Sequence, residues 1–210
     1  MNASTSFVKS LLAQCCLGGI CEWVVCPGAR NMALLQVLAA AEDLVQWTHF
    51  DERSAAFFAL GRIQDMGLPA AVVTTSGTAA AELLPAVVEA YYQRRPLLLL
   101  TADRPADYRG SAAPQAIEQA DMFGIYAPTI DLQTPDDLPE DILEDWDYAS
   151  PLHINVCLPD PDPTWNPGHC DLYPAEPPEE NKFRGSLSGL AQALRFKARH
   201  GLVLMLGGLD

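Results

Sequence analysis

A chain of 210 residues is long enough for one full domain and a piece of a second, and a hydrophobic content of 49% allows a substantial core. With 27 acidic against 13 basic residues the formal charge is −14, which repels phosphate backbones and anionic lipid and argues against nucleic-acid and membrane-surface roles. No stretch approaches the roughly 20 apolar residues of a membrane span, and residues 1–14 are too polar at their start for an export signal.

Taken in chain order, short apolar runs alternate with longer helical patterns, the signature of a parallel sheet with crossover helices. A helix is predicted over 7–17, with Ser4, Thr5 or Ser6 as its N-cap. Strands follow near 23–26, 45–49, 70–74, 97–101, 126–130 and 153–158, and the unbroken apolar run Leu97 to Leu100 marks a central strand covered on both faces. Helices are predicted over 33–41, 54–65, 79–92 and 138–148, with a short one at 115–122. The fold class is therefore α/β: a doubly wound, mainly parallel six-stranded sheet with helices on both faces. The acids Asp131, Asp136, Asp137, Glu140, Asp141, Glu144, Asp145 and Asp147 read as a solvated helix face. The six cysteines show no CxxC pair and no zinc spacing, and read as buried or free thiols in a reducing, cytoplasmic setting.

After Leu158 the character changes. Pro159, Pro161, Pro163, Pro167, Pro174, Pro177 and Pro178 exclude helix and central strand, so 159–185 reads as an extended linker. Beyond it, a helix at 187–200 and a strand at 202–206 look like the start of another α/β domain, cut short at 210.

No GxGxxG, GxxxxGK[ST], GxSxG or HExxH occurs. What remains are four polar loops at the C-terminal ends of predicted strands, where open α/β sheets place ligands. Cys26 to Asn31 offers Gly28 for a tight turn and the five-donor fork of Arg30, or is a plain turn with a surface arginine. Thr48 to Arg53 carries Asp51 and Glu52 at a helix start, as acid–base machinery or as caps. Thr74 to Ala79 is a hydroxyl-rich glycine turn, serving a polar ligand or only an N-cap. Asp103 and Arg104 follow the fourth strand, with Gln115 beyond, and pair at the surface in the blander reading.

In order and spacing, PGAR at 27–30, THFDER at 48–53, TSGTA at 75–79, LLTADRP at 99–105 and QAI at 115–117 resemble the N-terminal domain of thiamine-diphosphate-dependent enzymes. More narrowly they resemble the menaquinone-biosynthesis family of 2-succinyl-5-enolpyruvyl-6-hydroxy-3-cyclohexene-1-carboxylate synthases. The resemblance implies that residues 1–158 are a pyrimidine-binding domain and 186–210 the start of a central domain. It implies that Glu52 is the catalytic residue at N1′ of the cofactor's aminopyrimidine, favouring the imino tautomer that deprotonates thiazolium C2. An apolar pocket is then expected around Glu52, with Phe50, Phe57 and Phe58 as its candidate walls. Thr75, Ser76, Gly77 and Thr78 would lie near the pyrimidine, and Arg30, Arg104 and Gln115 would hold isochorismate. The family reaction decarboxylates 2-oxoglutarate and adds the succinyl carbanion to isochorismate.

This sequence departs from the family at Ala29 and Asn31, where Ser is common, and at Pro114, where Asn is common. The GDG motif that holds the diphosphate and Mg²⁺ is absent, so this chain would supply no metal ligand. The fragment alone is then expected to be inactive, and to self-associate through the face that meets the diphosphate-binding domain. The complete enzyme is expected to be a homodimer or homotetramer. The alternatives are a 2-oxoacid decarboxylase or acetolactate-synthase-like enzyme, a naturally short subunit, a non-catalytic module, and, last, a Rossmann domain lacking its fingerprint.

Overall fold

A computed structural model describes residues 3–174, all within a compact unit that ends at Ala175. The helix and strand predicted at 187–200 and 202–206 lie outside the described residues.

The elements run α1 (Ala3–Leu17), β1 (Glu22–Val25), α2 (Met32–Ala39), β2 (Val45–Thr48), α3 (Glu52–Met66), β3 (Ala70–Thr74), α4 (Thr78–Ala81), α5 (Leu84–Gln93), β4 (Leu97–Asp103), β5 (Thr129–Leu132) and β6 (Leu152–Cys157). Six strands pair in the order β2-β1-β3-β4-β6-β5, every pair parallel. Period-two alternation divides the core between two faces. Trp23, Val25, Leu98 and Leu100 pack with α1 and α2 on one side, while Val24, Val72, Leu97 and Leu99 pack with α3 and α5 on the other. The predicted doubly wound sheet is thus realised, and Leu97 to Leu100 need no alternation because both faces are covered.

Local chemistry sets the helix limits. Asp51 caps α3 by accepting from the Ser54 amide at 2.7 Å, and Gly67 ends it in the left-handed region at φ 70°. The single helix predicted over 79–92 is two, α4 and α5. Pro85 has no N–H, and its ring opposes the carbonyl four residues back, so the turn at 82–83 breaks the run. Helix α1 begins at Ala3, so Ser4, Thr5 and Ser6 fall inside it rather than capping it.

Two predicted helices do not form. Residues 138–148 are a chain of turns: Asp141 and Asp147 accept from the Leu143 and Ala149 amides, and Gln14 Oε1 takes the Ile142 amide at 2.8 Å. Side chains that bond nearby amides compete with the helical ladder. Meanwhile Ile142, Leu143 and Trp146 bury themselves in the core. The acid cluster is therefore no helix face; Asp131 lies on β5 and Asp137 caps a 3₁₀ turn at Pro135–Asp137. Residues 115–122 are likewise turns, with left-handed backbone at Gln115 and Asp121.

Residues 159–174 form neither helix nor strand and lie against α1 and α2. Lys9 donates to the Pro167 carbonyl, Gln36 to that of Trp165, and the Cys170 amide to Ala40. Cys170 and Leu172 are buried there. All six cysteines are free thiols. Among the described residues no helix is long and apolar enough to cross a membrane.

Candidate functional site

The four loops singled out in the sequence follow β1, β2, β3 and β4, at one edge of the sheet. Contacts link the first, third and fourth of them in series. A Cβ on Gly28 would meet the Thr75 Cβ, Cγ2 and Oγ1 at 2.6, 2.8 and 2.8 Å, so only glycine lets the first loop lie on the third. Gly77, at φ 76°, lies against the Gln115 backbone in the same way. Ser76 Oγ donates to the Gln115 carbonyl at 2.9 Å, and Gln115 Nε2 returns a bond to the Ser76 carbonyl at 2.8 Å. Arg104 Nε donates to Pro114 O at 3.1 Å, its guanidinium standing over the Tyr108 ring. Pro114, a departure from the family pattern, thus contributes its carbonyl.

Asn31, the second departure, is a brace rather than a substrate group. It is fully buried, its Oδ1 accepting from the Gly28 amide and its Nδ2 donating to the Cys26 carbonyl, each at 2.9 Å. Arg30 reaches past this turn to the end of β6. It donates to Leu158 O at 3.3 Å, Pro159 O at 3.1 Å and Asp160 Oδ1 at 3.0 Å.

The two acids of the second loop divide their tasks. Asp51 is spent on capping α3. Glu52, the first residue of that helix, is half-buried and accepts no hydrogen bond or ion pair from any described residue. Cys26 is close enough to feel it: burial first, then the charges of Glu52 and Asp51, push the Cys26 thiol up to about 12. The expected apolar walls are not closed around Glu52 within this chain. Phe50 is 99% exposed and Phe57 is exposed, while Phe58 packs inward beside Trp47 and His49. Ser76, Gly77 and Thr75 are buried and Thr78 is exposed. The Gly77 amide is already bonded to Gln119 Oε1 at 2.7 Å, so this turn offers a ligand fewer donors than its sequence suggested.

Beneath the loops lies a polar layer that sequence reasoning missed. Gln119 Nε2 donates to Asn155 Oδ1 at 2.9 Å and Ala102 O at 3.2 Å. Asn155 Nδ2 bridges Asp103 and Asp131 at 3.2 and 2.8 Å, and Arg109 grips Asp131 with both terminal nitrogens at 2.7 and 2.8 Å. Burial alone would raise Asp131; hydrogen bonds from Arg109, Asn155 and Gln133 outweigh it and hold the carboxyl at about 2.

His153 bonds Thr101 through Nε2 at 2.7 Å and Thr129 through Nδ1 at 2.9 Å. Thr101 gives its proton to Asn155 Oδ1, so the network assigns the hydrogen to His153 Nε2. Burial lowers the ring to about 3 and keeps it neutral. The signal was present in β6: His153 and Asn155 alternate with Leu152, Ile154 and Val156, which marks polar groups inside a central strand.

The chain belongs to the thiamine pyrophosphate enzymes: residues 6–122 match their N-terminal TPP binding domain. It is 89% identical over its whole length to the 2-succinyl-5-enolpyruvyl-6-hydroxy-3-cyclohexene-1-carboxylate synthase of Akkermansia muciniphila, covering 39% of that protein. It is also similar to the synthases of the same name from Bdellovibrio bacteriovorus and Chloroflexus aurantiacus. Identity is 44% over 68% of this chain and 27% of the first, and 48% over 65% of this chain and 23% of the second. The chain spans about two-fifths, or less, of the length of these relatives.

Proposed function

We propose that this chain is the N-terminal, pyrimidine-binding part of a 2-succinyl-5-enolpyruvyl-6-hydroxy-3-cyclohexene-1-carboxylate synthase. The complete enzyme would decarboxylate 2-oxoglutarate and transfer its succinyl unit to isochorismate. Residues 1–158 would form the pyrimidine-binding domain, 159–185 a linker, and 186–210 the start of a central domain. The observation that carries the reading is the unspent Glu52 carboxylate: half-buried at a helix start, beside a fused cluster of polar loops, with its neighbour Asp51 doing the capping.

That donor set fits thiamine diphosphate. A carboxyl without an internal partner suits the ring nitrogen of an aminopyrimidine, exchanging one proton with it at a carboxyl oxygen. When bound, the cofactor would supply an electron sink for the decarboxylation. Thr75, Ser76 and Gly77 would shape the floor beside the ring and Thr78 would add an exposed hydroxyl. Arg30, Arg104 and Gln115 would hold the carboxylates and hydroxyl of isochorismate. The diphosphate and Mg²⁺ would be held by a part of the enzyme outside this chain. Glu52 stands open here, with Phe50 and Phe57 exposed, so a second copy closing over it, in a homodimer or homotetramer, is part of the proposal. Free thiols at all six cysteines suit work in the reducing cytoplasm.

The test is an assay of 2-oxoglutarate loss by a complete enzyme carrying these residues, with thiamine diphosphate and Mg²⁺, with and without isochorismate, beside Glu52→Gln. Isochorismate-dependent turnover that collapses in the variant is expected. Turnover of pyruvate that ignores isochorismate would point instead to a 2-oxoacid decarboxylase or acetolactate-synthase-like enzyme. The 210-residue chain by itself should not turn over.

A further inference from the structure

Arg30 sits in an asymmetric set of contacts. Its side chain is only 9% exposed, whereas that of its ion-pair partner Asp160 is 81% exposed. One terminal nitrogen is fixed by the Leu158 and Pro159 carbonyls at 3.3 and 3.1 Å. Leu158 is itself anchored, its amide donating to Asp103 O at 3.0 Å. The other terminal nitrogen meets a single oxygen of Asp160 at 3.0 Å, beyond the end of β6. The carbonyls therefore aim the guanidinium, and the carboxylate merely occupies it. An exposed, single-oxygen ion pair is weak and easily exchanged.

We propose that Asp160 is an internal stand-in for the substrate's carboxylate: it covers Arg30 until substrate arrives and opposes the incoming anion, so that it sets the affinity for isochorismate. This rests on the proposal that Arg30 holds isochorismate, and it adds the competitor. Two carboxylates on one guanidinium repel each other. Asp160 therefore weakens substrate binding whether it leaves or stays, and removing its charge acts in one direction only.

The experiment uses the complete synthase with cofactor and Mg²⁺, comparing wild type, Asp160→Asn, Asp160→Glu and Arg30→Ala. The KM for isochorismate is expected to fall about two- to five-fold in Asp160→Asn, the range an exposed ion pair spans. The KM for 2-oxoglutarate should move less, Asp160→Glu should restore the wild-type value, and roughly 1 M salt should shrink the difference. KM does not depend on the amount of folded enzyme, so a partly unfolded variant still reports. An unchanged or raised isochorismate KM in Asp160→Asn, with a raised KM in Arg30→Ala, overturns the competitor and leaves the substrate role of Arg30 standing. No change in Arg30→Ala removes that role, and the competitor falls with it.

Discussion

The two ends of the sheet's loop-bearing edge are built on opposite plans. At the β4-β6-β5 end, buried and half-buried polar groups are bonded to one another from Gly77 through Gln119, Asn155, Asp103 and Asp131 to Arg109. At the β2-α3 end, β2 is exposed along its length, Phe50 and Phe57 face solvent, and Glu52 has no partner among the described residues. The first end is bonded within one chain, with only the Arg109 Nε of that network buried without a partner among the described residues. The second end leaves its carboxylate unpaired. A protein that needs rigid loops and one uncommitted carboxyl gains by satisfying the polar groups that hold the loops. Glu52, the carboxyl proposed to meet a ligand, is left without such bonds among the described residues.

That contrast is sharpest under substitutions that unbalance the bonded end. Asn155→Leu strips hydrogen bonds from Gln119, Asp103 and Asp131 together and should cost about 3–5 kcal/mol in urea unfolding. A loss below about 1 kcal/mol would mean that the network is decorative.

Acid should act next. His153 is held neutral with its folded value lowered to about 3, so the unfolded chain takes up a proton first as pH falls below about 6.5. Stability should therefore decline from about pH 6.5 toward pH 3, at up to about 1.4 kcal/mol per pH unit. Asp131 adds to the loss below about 3.8, as pH falls toward its folded value of about 2. Urea midpoints from pH 7 to pH 3 measure this, and His153→Gln should flatten the upper part of the decline.

Gly77→Ala joins the two ends. At φ 76° and ψ −134° a side chain is strained, and its Cβ would stand 2.7 Å from Gln115 Cγ. A loss of about 1–3 kcal/mol is expected, and an unchanged melting temperature would show that the turn is loose.

The smallest effects test the open end. Asp51→Ala should cost about 1 kcal/mol as a lost cap, whereas Glu52→Gln should stay within about 0.5 kcal/mol in thermal melts. A larger loss in Glu52→Gln than in Asp51→Ala would make Glu52 a structural group and break the comparison.

Much of this was legible in the sequence because it depends on local chemistry. Leu97 to Leu100 announced a strand buried on both faces, and the turns after β1 and β3 announced themselves through Gly28 and Gly77. The failures came from competitors for backbone amides and from partners far along the chain. Residues 138–148 have helical spacing, yet Gln14, 128 residues from Ile142, competes for a backbone amide, and short-range aspartates take others. Asn31 stood in the sequence only as a departure from the family's Ser and is a buried brace, which only the fold around Cys26 and Gly28 reveals.

By itself, then, the sequence determined the order of the six strands along the chain, the two-sided core and the loops at the strand ends. Those follow from hydrophobic periodicity and from residues acting on their neighbours. The tertiary structure alone decided which acid caps and which stays unspent, which carbonyls aim Arg30, and how His153 and Asn155 are satisfied. Each of those depends on partners distant in sequence, and a hydrogen bond or ion pair exists only where the fold brings both groups within about 3 Å.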